Sequence, residues 1–348
     1  MQQVRRILIS VLAIAALAMG ATVASAERGG DKHKGHKGKG AAERLFTIQQ
    51  PDPAANPEGI AVDKRSRAFY VGITAGGDIY RGTLGSDTIV PFIEADPGKA
   101  AIGLKVHRGK LYVAGGPTGA ITVYDLATTK EVGTFQTPGT GGFLNDVVVT
   151  RRGDVYVTDS FRQTLWHVTP AQVAAGRGEP QALDVSAIPY GAGEFNLNGI
   201  VAKGARKLIV VNSSSGKLFR IKLGDDGASI EEIDEIQGAT VPGGDGLLLD
   251  RGRLVAVQGD PAQLSFIKLR RGARSATLKG TQTSDKLRGP STVDATKRLY
   301  LVVNADFDNN VTPFTVAGLP RKSKRGHDRG KDHGHGHGRG RDKDDDRR

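Results

Sequence analysis

Glu58-Gly59, Asn145-Asp146, Asn198-Gly199 and Asp245-Gly246 recur along the chain in one context, each opening a short apolar run. The leading side chains are all oxygen donors: Glu58 and Asp245 are carboxylates, Asn145 and Asn198 carboxamides. Hard cations take oxygen ligands of this kind, whereas zinc and softer metals favour His and Cys, neither of which occurs at these places. Ca²⁺ is the first expectation, and Mg²⁺ or Mn²⁺ suit the same donors. Two negative charges balance one divalent ion, and four protein ligands leave positions for water or substrate. Taken singly, Asn-Gly and Asp-Gly are also turn dipeptides, and Glu58 behind Pro57 reads equally as a solvated loop charge. Their shared register in four repeats is the argument for a joint site.

The elements that must position these residues are themselves repeated. One unit reads Glu58-Gly59-Ile60-Ala61-Val62, then Ala68-Phe69-Tyr70-Val71, then Asp78-Ile79-Tyr80-Arg81. Another reads Asn145-Asp146-Val147-Val148-Val149, then Asp154-Val155-Tyr156-Val157, then Leu165-Trp166-His167-Val168. With Ile102 and Pro290 as the opening residues of two further units, the anchors fall 44, 43, 53, 47 and 45 residues apart. A period in the forties, with three or four short strands per unit, frequent Gly and no helical periodicity, is the pattern of a propeller blade. The expected fold is all-β, a six-bladed β-propeller. Equivalent positions of a radial repeat share one height, so the ring Glu58, Ile102, Asn145, Asn198, Asp245, Pro290 should face one mouth of the channel. The last unit runs out at Val311 to Val316, one strand short, while Arg44 to Ile48 is a strand without a blade. Pairing the two closes the ring and leaves no open sheet edge there.

Outside the repeat, Arg5-Arg6 precede an apolar run from Ile7 to Met19 and the small-residue site Ala24-Ser25-Ala26. That is the layout of a signal peptide over residues 1–26, with the ordinary secretory route favoured over the twin-arginine one. A secreted, extracytoplasmic protein is expected, with no membrane insertion. With no cysteine in 348 residues, the fold must rest on its core alone. Residues 27–42 and 321–348 are low-complexity and read as disordered tails around a propeller at 43–320. The net charge of +12 divides into +2 for the leader, +3 for 27–42 and +5 for 321–348, leaving +2 for the propeller. On that sum the basic character belongs to the tails, and no nucleic-acid partner is expected. His333, His335 and His337 alternate with glycine in the C-terminal tail. Transition-metal capture, contact with a surface polymer and a plain solvated tether all fit that composition.

No nucleophile elbow, phosphate loop or zinc-protease helix is present. His107 and His167, the two histidines inside the repeat, lie away from the ring and read as surface or packing residues. Asp159, Asn212 and Asn304 after second strands, and Asp63, Asp250 and Asp294 after first strands, read as turn-forming hydrogen-bond groups.

Over residues 44–316, the order and spacing of Glu58-Gly59, Asn145-Asp146, Asn198-Gly199 and Asp245-Gly246 resemble the regucalcin, gluconolactonase and paraoxonase-like group of six-bladed calcium-dependent propellers. The resemblance implies that Glu58, Asn198 and Asp245 hold the metal with Asn145 beside it positioning substrate, as in gluconolactonase-like members, or that all four approach the ion, as in paraoxonase-like members. It further implies hydrolysis of a small-molecule lactone or ester, the metal polarising the carbonyl and Asp245 assisting water as base. Ile60 stands where such proteins often have Pro, and Phe143 where gluconolactonase-like members have Arg, which points to a more apolar lactone or ester than a sugar acid. The competing expectation is a non-catalytic calcium-containing propeller that binds a cell-surface polymer or protein.

Overall fold

The computed structural model describes residues 41–49 and 55–321. The leader, nearly all of the N-terminal tail and residues 322–348 lie outside the described residues, as do the histidines of the C-terminal tail. Within the described part, β1 (Arg44–Ile48) precedes blade 1, formed by β2 (Pro57–Val62), β3 (Ala68–Ile73), β4 (Ile79–Thr83) and β5 (Thr88–Ile93). Blade 2 comprises β6 (Leu104–His107), β7 (Lys110–Ala114), β8 (Ala120–Asp125) and β9 (Glu131–Gln136). Blade 3 comprises β10 (Leu144–Val149), β11 (Val155–Asp159), β12 (Thr164–Val168) and β13 (Gln181–Asp184). Blade 4 comprises β14 (Leu197–Ala202), β15 (Lys207–Asn212), β16 (Lys217–Leu223) and β17 (Ile230–Glu235). Blade 5 comprises β18 (Gly244–Asp250), β19 (Arg253–Gln258), β20 (Gln263–Arg270) and β21 (Ser275–Gln282). Blade 6 has β22 (Pro290–Ala295), β23 (Leu299–Asn304) and β24 (Thr315–Pro320).

Every blade is an antiparallel meander, and the inner strands β2, β6, β10, β14, β18 and β22 touch one another in cyclic order. The chain is therefore a six-bladed propeller. As expected, β1 is the outer strand of blade 6, pairing antiparallel with β24 from Arg44↔Gly318 to Thr47↔Thr315. The same strand also runs parallel to β5 at Thr47↔Thr88 and Ile48↔Ile89, joining blades 1 and 6 into one eight-stranded sheet. The third strand of blade 6 begins later than Val311 suggests. Val311 is exposed in a loop held by Asp306, whose Oδ2 accepts from the Val311 amide at 3.1 Å, and the strand starts at Thr315.

Inner and second strands such as β2, β3, β10 and β11 are buried along their whole length. Six apolar clusters account for this, one between each pair of neighbouring blades; Phe46, Phe69, Val71, Leu301, Val303 and Phe314 form the heart of the one between blades 1 and 6. A strand packed on both faces must be apolar on both, so the alternation of a half-buried sheet disappears. Among the described residues one short α-helix interrupts the all-β pattern, besides a 3-10 turn at Arg271–Ala273: α1 (Pro170–Ala175) starts at a reciprocal Thr169–Gln172 cap and ends on left-handed Gly176. It buries none of its residues, so its sequence carries no helical periodicity.

Each inner strand runs from the mouth that carries the ring residues, here the upper face, down to a turn at the lower face. Two sets of residues are thereby segregated: strand-opening residues above, first-turn residues below.

Candidate functional site

In blade 1, β2 pairs with β3 at Pro57↔Ile73 and again at Ile60↔Val71, so Glu58 and Gly59 bulge opposite a single residue. The same interruption recurs at Asn145-Asp146, Asn198-Gly199 and Asp245-Gly246. A bulge re-aims side chains at the end of a ladder. These dipeptides are thus parts of strands, and the turn alternative does not hold. Gly59, Gly199 and Gly246 have no positive φ. Glycine is required for another reason: a Cβ on Gly59 would lie 2.0 Å from the Ile102 carbonyl oxygen of the next blade, and one on Gly199 2.3 Å from that of Asp245.

The bulge also corrects the ring. In blade 6 it falls between Pro290 and Val293, and Pro290 pairs with Asn304 as Leu144 pairs with Asp159. The residue equivalent to the four anchors is therefore Ser291, one place beyond the expected Pro290. The ring reads Glu58, Ile102, Asn145, Asn198, Asp245, Ser291, with oxygen at every position except Ile102.

Glu58, Asn145 and Asn198 are buried and Asp245 is partly so. Glu58 Oε2, Asn145 Oδ1 and Asp245 Oδ1 are buried with no hydrogen-bond partner. Leaving such acceptors unmade costs the full desolvation of each group. Burial, then the charge of Asp245, then that of Asp146, hold the Glu58 carboxyl well above the usual carboxylate range, while a hydrogen bond from Thr292 opposes them. Burial and then Asp146 push Asp245 up to about 8, against a lowering by the Asn198 side chain. Three orphaned oxygens and two mutually repelling carboxyls are what a hard cation relieves, so the donor set fits such an ion. No group of three or more His, Asp or Glu among the described residues is placed to hold a metal. The set here is mixed, carboxylates with carboxamides.

Supporting contacts explain how the oxygens are aimed. The Asn145 Nδ2 donates to Ser160 Oγ at 2.9 Å, and that hydroxyl donates to the Leu197 carbonyl at 2.7 Å, which turns Asn145 Oδ1 toward the ring. Thr158 Oγ1 donates to the Asn198 carbonyl at 2.8 Å. Thr292 Oγ1 donates to Glu58 Oε1 at 3.3 Å, and Ser291 Oγ to the Glu58 carbonyl at 2.9 Å. Asp146 stands where blades 1, 2, 4 and 5 have Gly and blade 6 has Thr292. Its Oδ1 accepts from the Val147 amide at 2.8 Å and its Oδ2 from the Ile200 amide of blade 4 at 3.0 Å. Both oxygens are spent on backbone, so Asp146 is a cross-blade tie; burial raises it to about 6, with those two amides pulling the other way. Ser160, Thr158 and Asp146 escaped the sequence reading as site-shaping groups. The available signal was their position, opposite or beside the anchors at the strand ends.

Beside the ring, Phe143, Phe161 and Phe195 meet at centroid distances of 5.8, 5.2 and 4.9 Å, all half-buried. Asp159 organises them: its Oδ1 accepts from the Phe143 and Phe161 amides, and its carbonyl from the Tyr190 hydroxyl at 2.7 Å. A cleft lined by Phe161, Tyr190, Gly191, Glu194 and Asn196 opens next to this wall. Asn212 and Asn304 organise upper loops likewise, whereas Asp294 crosses blades to the Val62 amide at 2.9 Å and Asp250 bonds the Tyr300 hydroxyl at 2.6 Å, so neither of these last two serves a turn. His167 is fully buried, stacked on Tyr156 and 3.2 Å from Asp154; His107 lies at the lower end of β6. Neither reaches the ring.

No protein-family model matches the sequence, and no curated protein matches it closely enough to count as a relative. Solved structures do match. A gluconolactonase from Xanthomonas campestris is 16% identical over 80% of this chain and 90% of its own, with a TM-score of 0.55. Virginiamycin B lyase from Staphylococcus aureus is 11% identical over 81% of this chain and 99% of its own, at 0.54. A luciferin-regenerating enzyme is 11% identical over 80% and 96%, also at 0.54. At these identities the likeness is one of fold.

Proposed function

We propose that the chain is a hydrolase of lactones or esters that works with a hard divalent cation, Ca²⁺ first, held by Glu58, Asn198 and Asp245. The observation that carries this reading is the trio of buried, unpartnered oxygens on Glu58, Asn145 and Asp245 at one mouth. A fold shared with a gluconolactonase supports it, although a fold alone assigns no chemistry. When bound, the ion supplies a Lewis acid for the substrate carbonyl and lowers the pKa of an attacking water.

The chain's own groups do the rest. Asp245 is placed to accept the proton of that water, because its Oδ1 is buried at the ring without a hydrogen-bond partner. Asn145 has its amide nitrogen engaged by Ser160 and presents its carbonyl oxygen, so it serves as a further oxygen donor at the centre. The Phe143, Phe161 and Phe195 wall excludes water from one side. No histidine takes part.

The test measures bound metal and hydrolysis of a lactone and ester panel, with and without chelator. Glu58→Gln and Asp245→Asn should each weaken metal binding by more than the roughly 10–100-fold that loss of an outer partner costs, and Ser160→Ala should fall within that range. His107→Ala and His167→Ala should retain activity. Unchanged metal affinity in both carboxylate variants would remove the site. A parent chain that binds calcium and hydrolyses nothing would leave the ion a structural part of a binding propeller.

A further inference from the structure

The near-neutral charge sum of the propeller conceals a segregation that the topology creates. The turn between first and second strands lies at the lower face in all six blades, and each such turn is basic: Arg65 in blade 1, Arg108 in blade 2, Arg151 in blade 3, Lys203 in blade 4, Arg251 in blade 5 and Arg298 in blade 6 are all exposed. Lys64, Arg67, Arg152 and Lys297 add to the same turns and are exposed as well. The turns adjoin around the ring. Arg108 donates to the Arg151 carbonyl at 3.2 Å and Arg251 to the Lys297 carbonyl at 3.4 Å, while Arg152 reaches the Asp225 carbonyl in the outer turn of blade 4 at 2.8 Å.

The acids of these turns are mostly engaged elsewhere: Asp63 spends its oxygens on the amides of Arg65 and Ser66 and on the Ser66 hydroxyl, Asp154 faces His167, Asp250 pairs with Arg321 and lies 4.0 Å from Arg251 Nε, and Asp225 pairs with Arg206 at the rim. Arg65, Arg108, Arg151, Lys203 and Arg298 form no ion pair among the described residues. In the midst of these cations, His107 keeps its Nε2 buried and without a partner. The charge sum assigns the basic excess to the tails; this arrangement adds a basic face to the folded part.

We propose that the lower face docks the propeller on a bilayer rich in anionic phospholipid. Radial repetition sets equivalent turns at one height, so the cations form a planar array. A plane of phosphates can meet all of it at once, whereas a linear polyanion can follow only one track across it. The exposed turn residues include no aromatic side chain to stack on bases and no large apolar one to insert, which disfavours single-stranded nucleic acid and membrane penetration alike. The binding is peripheral and electrostatic, and it leaves the oxygen ring on the opposite face open to solvent. Each Lys or Arg close to such a surface contributes about 1 kcal/mol, roughly fivefold in affinity, and salt weakens the attraction because its range is a Debye length.

The test is co-sedimentation of the full chain with phosphatidylcholine vesicles with and without phosphatidylglycerol, over a salt series, for the parent and for a variant carrying Arg65→Glu, Arg151→Glu, Lys203→Glu and Arg298→Glu. The parent should bind only the anionic vesicles and release with salt; the variant should lose at least about tenfold in affinity. A second arm needs no folded-state assumption about that variant. The chain has no cysteine, so Lys64→Cys below and Ala192→Cys above can each carry a single fluorophore. Nitroxide-labelled lipid should quench the lower label and spare the upper one. Equal binding by parent and variant, equal quenching of both labels, or tighter binding to long-chain polyphosphate or duplex DNA than to the vesicles would each overturn the proposal.

Discussion

Two carboxyls held out of water within each other's field make the ring costly to fold without an ion, and that cost depends on pH. Asp245 titrates at about 8 in the fold, against an ordinary 3.8. Between those values the folded chain keeps a proton that the unfolded chain has released. Deprotonation therefore favours unfolding, and the metal-free protein loses stability as pH rises through that window. Glu58 is shifted in the same direction and adds to the effect. In chelator, the melting temperature should fall between about pH 5 and about pH 8; calcium should restore it at the higher pH, where the carboxylates are free to bind, and do little at the lower. Asp245→Asn should flatten the chelator profile. A melting temperature that climbs with pH in chelator would show that these carboxyls are not buried acids at all.

At the scale of the strand, the constraint is how closely neighbouring blades approach. Gly59→Ala places a methyl against the Ile102 carbonyl and should cost about 1–3 kcal/mol in urea denaturation, as overpacking does. Gly85→Ala meets nothing nearer than a Thr83 hydroxyl at 3.8 Å and should be close to neutral, within about 0.5 kcal/mol. Strand β1 has a larger task than closing one blade. It buries Phe46 and Ile48, packs Phe46 edge-on against Phe69 at 5.3 Å, and bridges β24 to β5. Deleting residues 43–49 should expose both neighbours as open edges and drive aggregation, seen as light scattering on expression or mild heating. A soluble, cooperatively melting product would mean that blade 6 closes without it.

For the whole molecule, the question is where the folded unit stops. Arg321, the first residue assigned to the C-terminal tail, is held by the propeller: it pairs with buried Asp250, donates to the Thr296 carbonyl and takes a backbone bond from its own amide to the Arg298 carbonyl at 2.8 Å. Asp250 is 3% exposed, and without Arg321 it would keep only the Tyr300 hydroxyl and the Arg251 Nε at 4.0 Å, a loss of about 1–3 kcal/mol. A chain ending at Arg321 should melt within a few degrees of the full-length protein. Arg321→Ala should melt well below both, and equal melting of all three would show the pair to be worth nothing.

Much of this was legible in the residues alone. The blade period, the six units, the closing role of Arg44 to Ile48 and the oxygen character of Glu58, Asn145, Asn198 and Asp245 follow from residue type and spacing, because a radial repeat writes one register into every blade. What spacing cannot specify is which atom faces which. The bulge moved the sixth ring position from Pro290 to Ser291, since an alignment counts residues while a ladder counts pairs. Only the packed strands show that Gly59 and Gly199 are needed for the approach of the next blade, that Ser160 turns Asn145 Oδ1 toward the ring, and that Asp146 serves backbone amides rather than the centre. Charge behaves the same way: summed along the chain, the propeller is nearly neutral, but folding places every first turn on one face and collects its arginines and lysines there, because the sum over a sequence retains nothing of direction and a propeller has two faces.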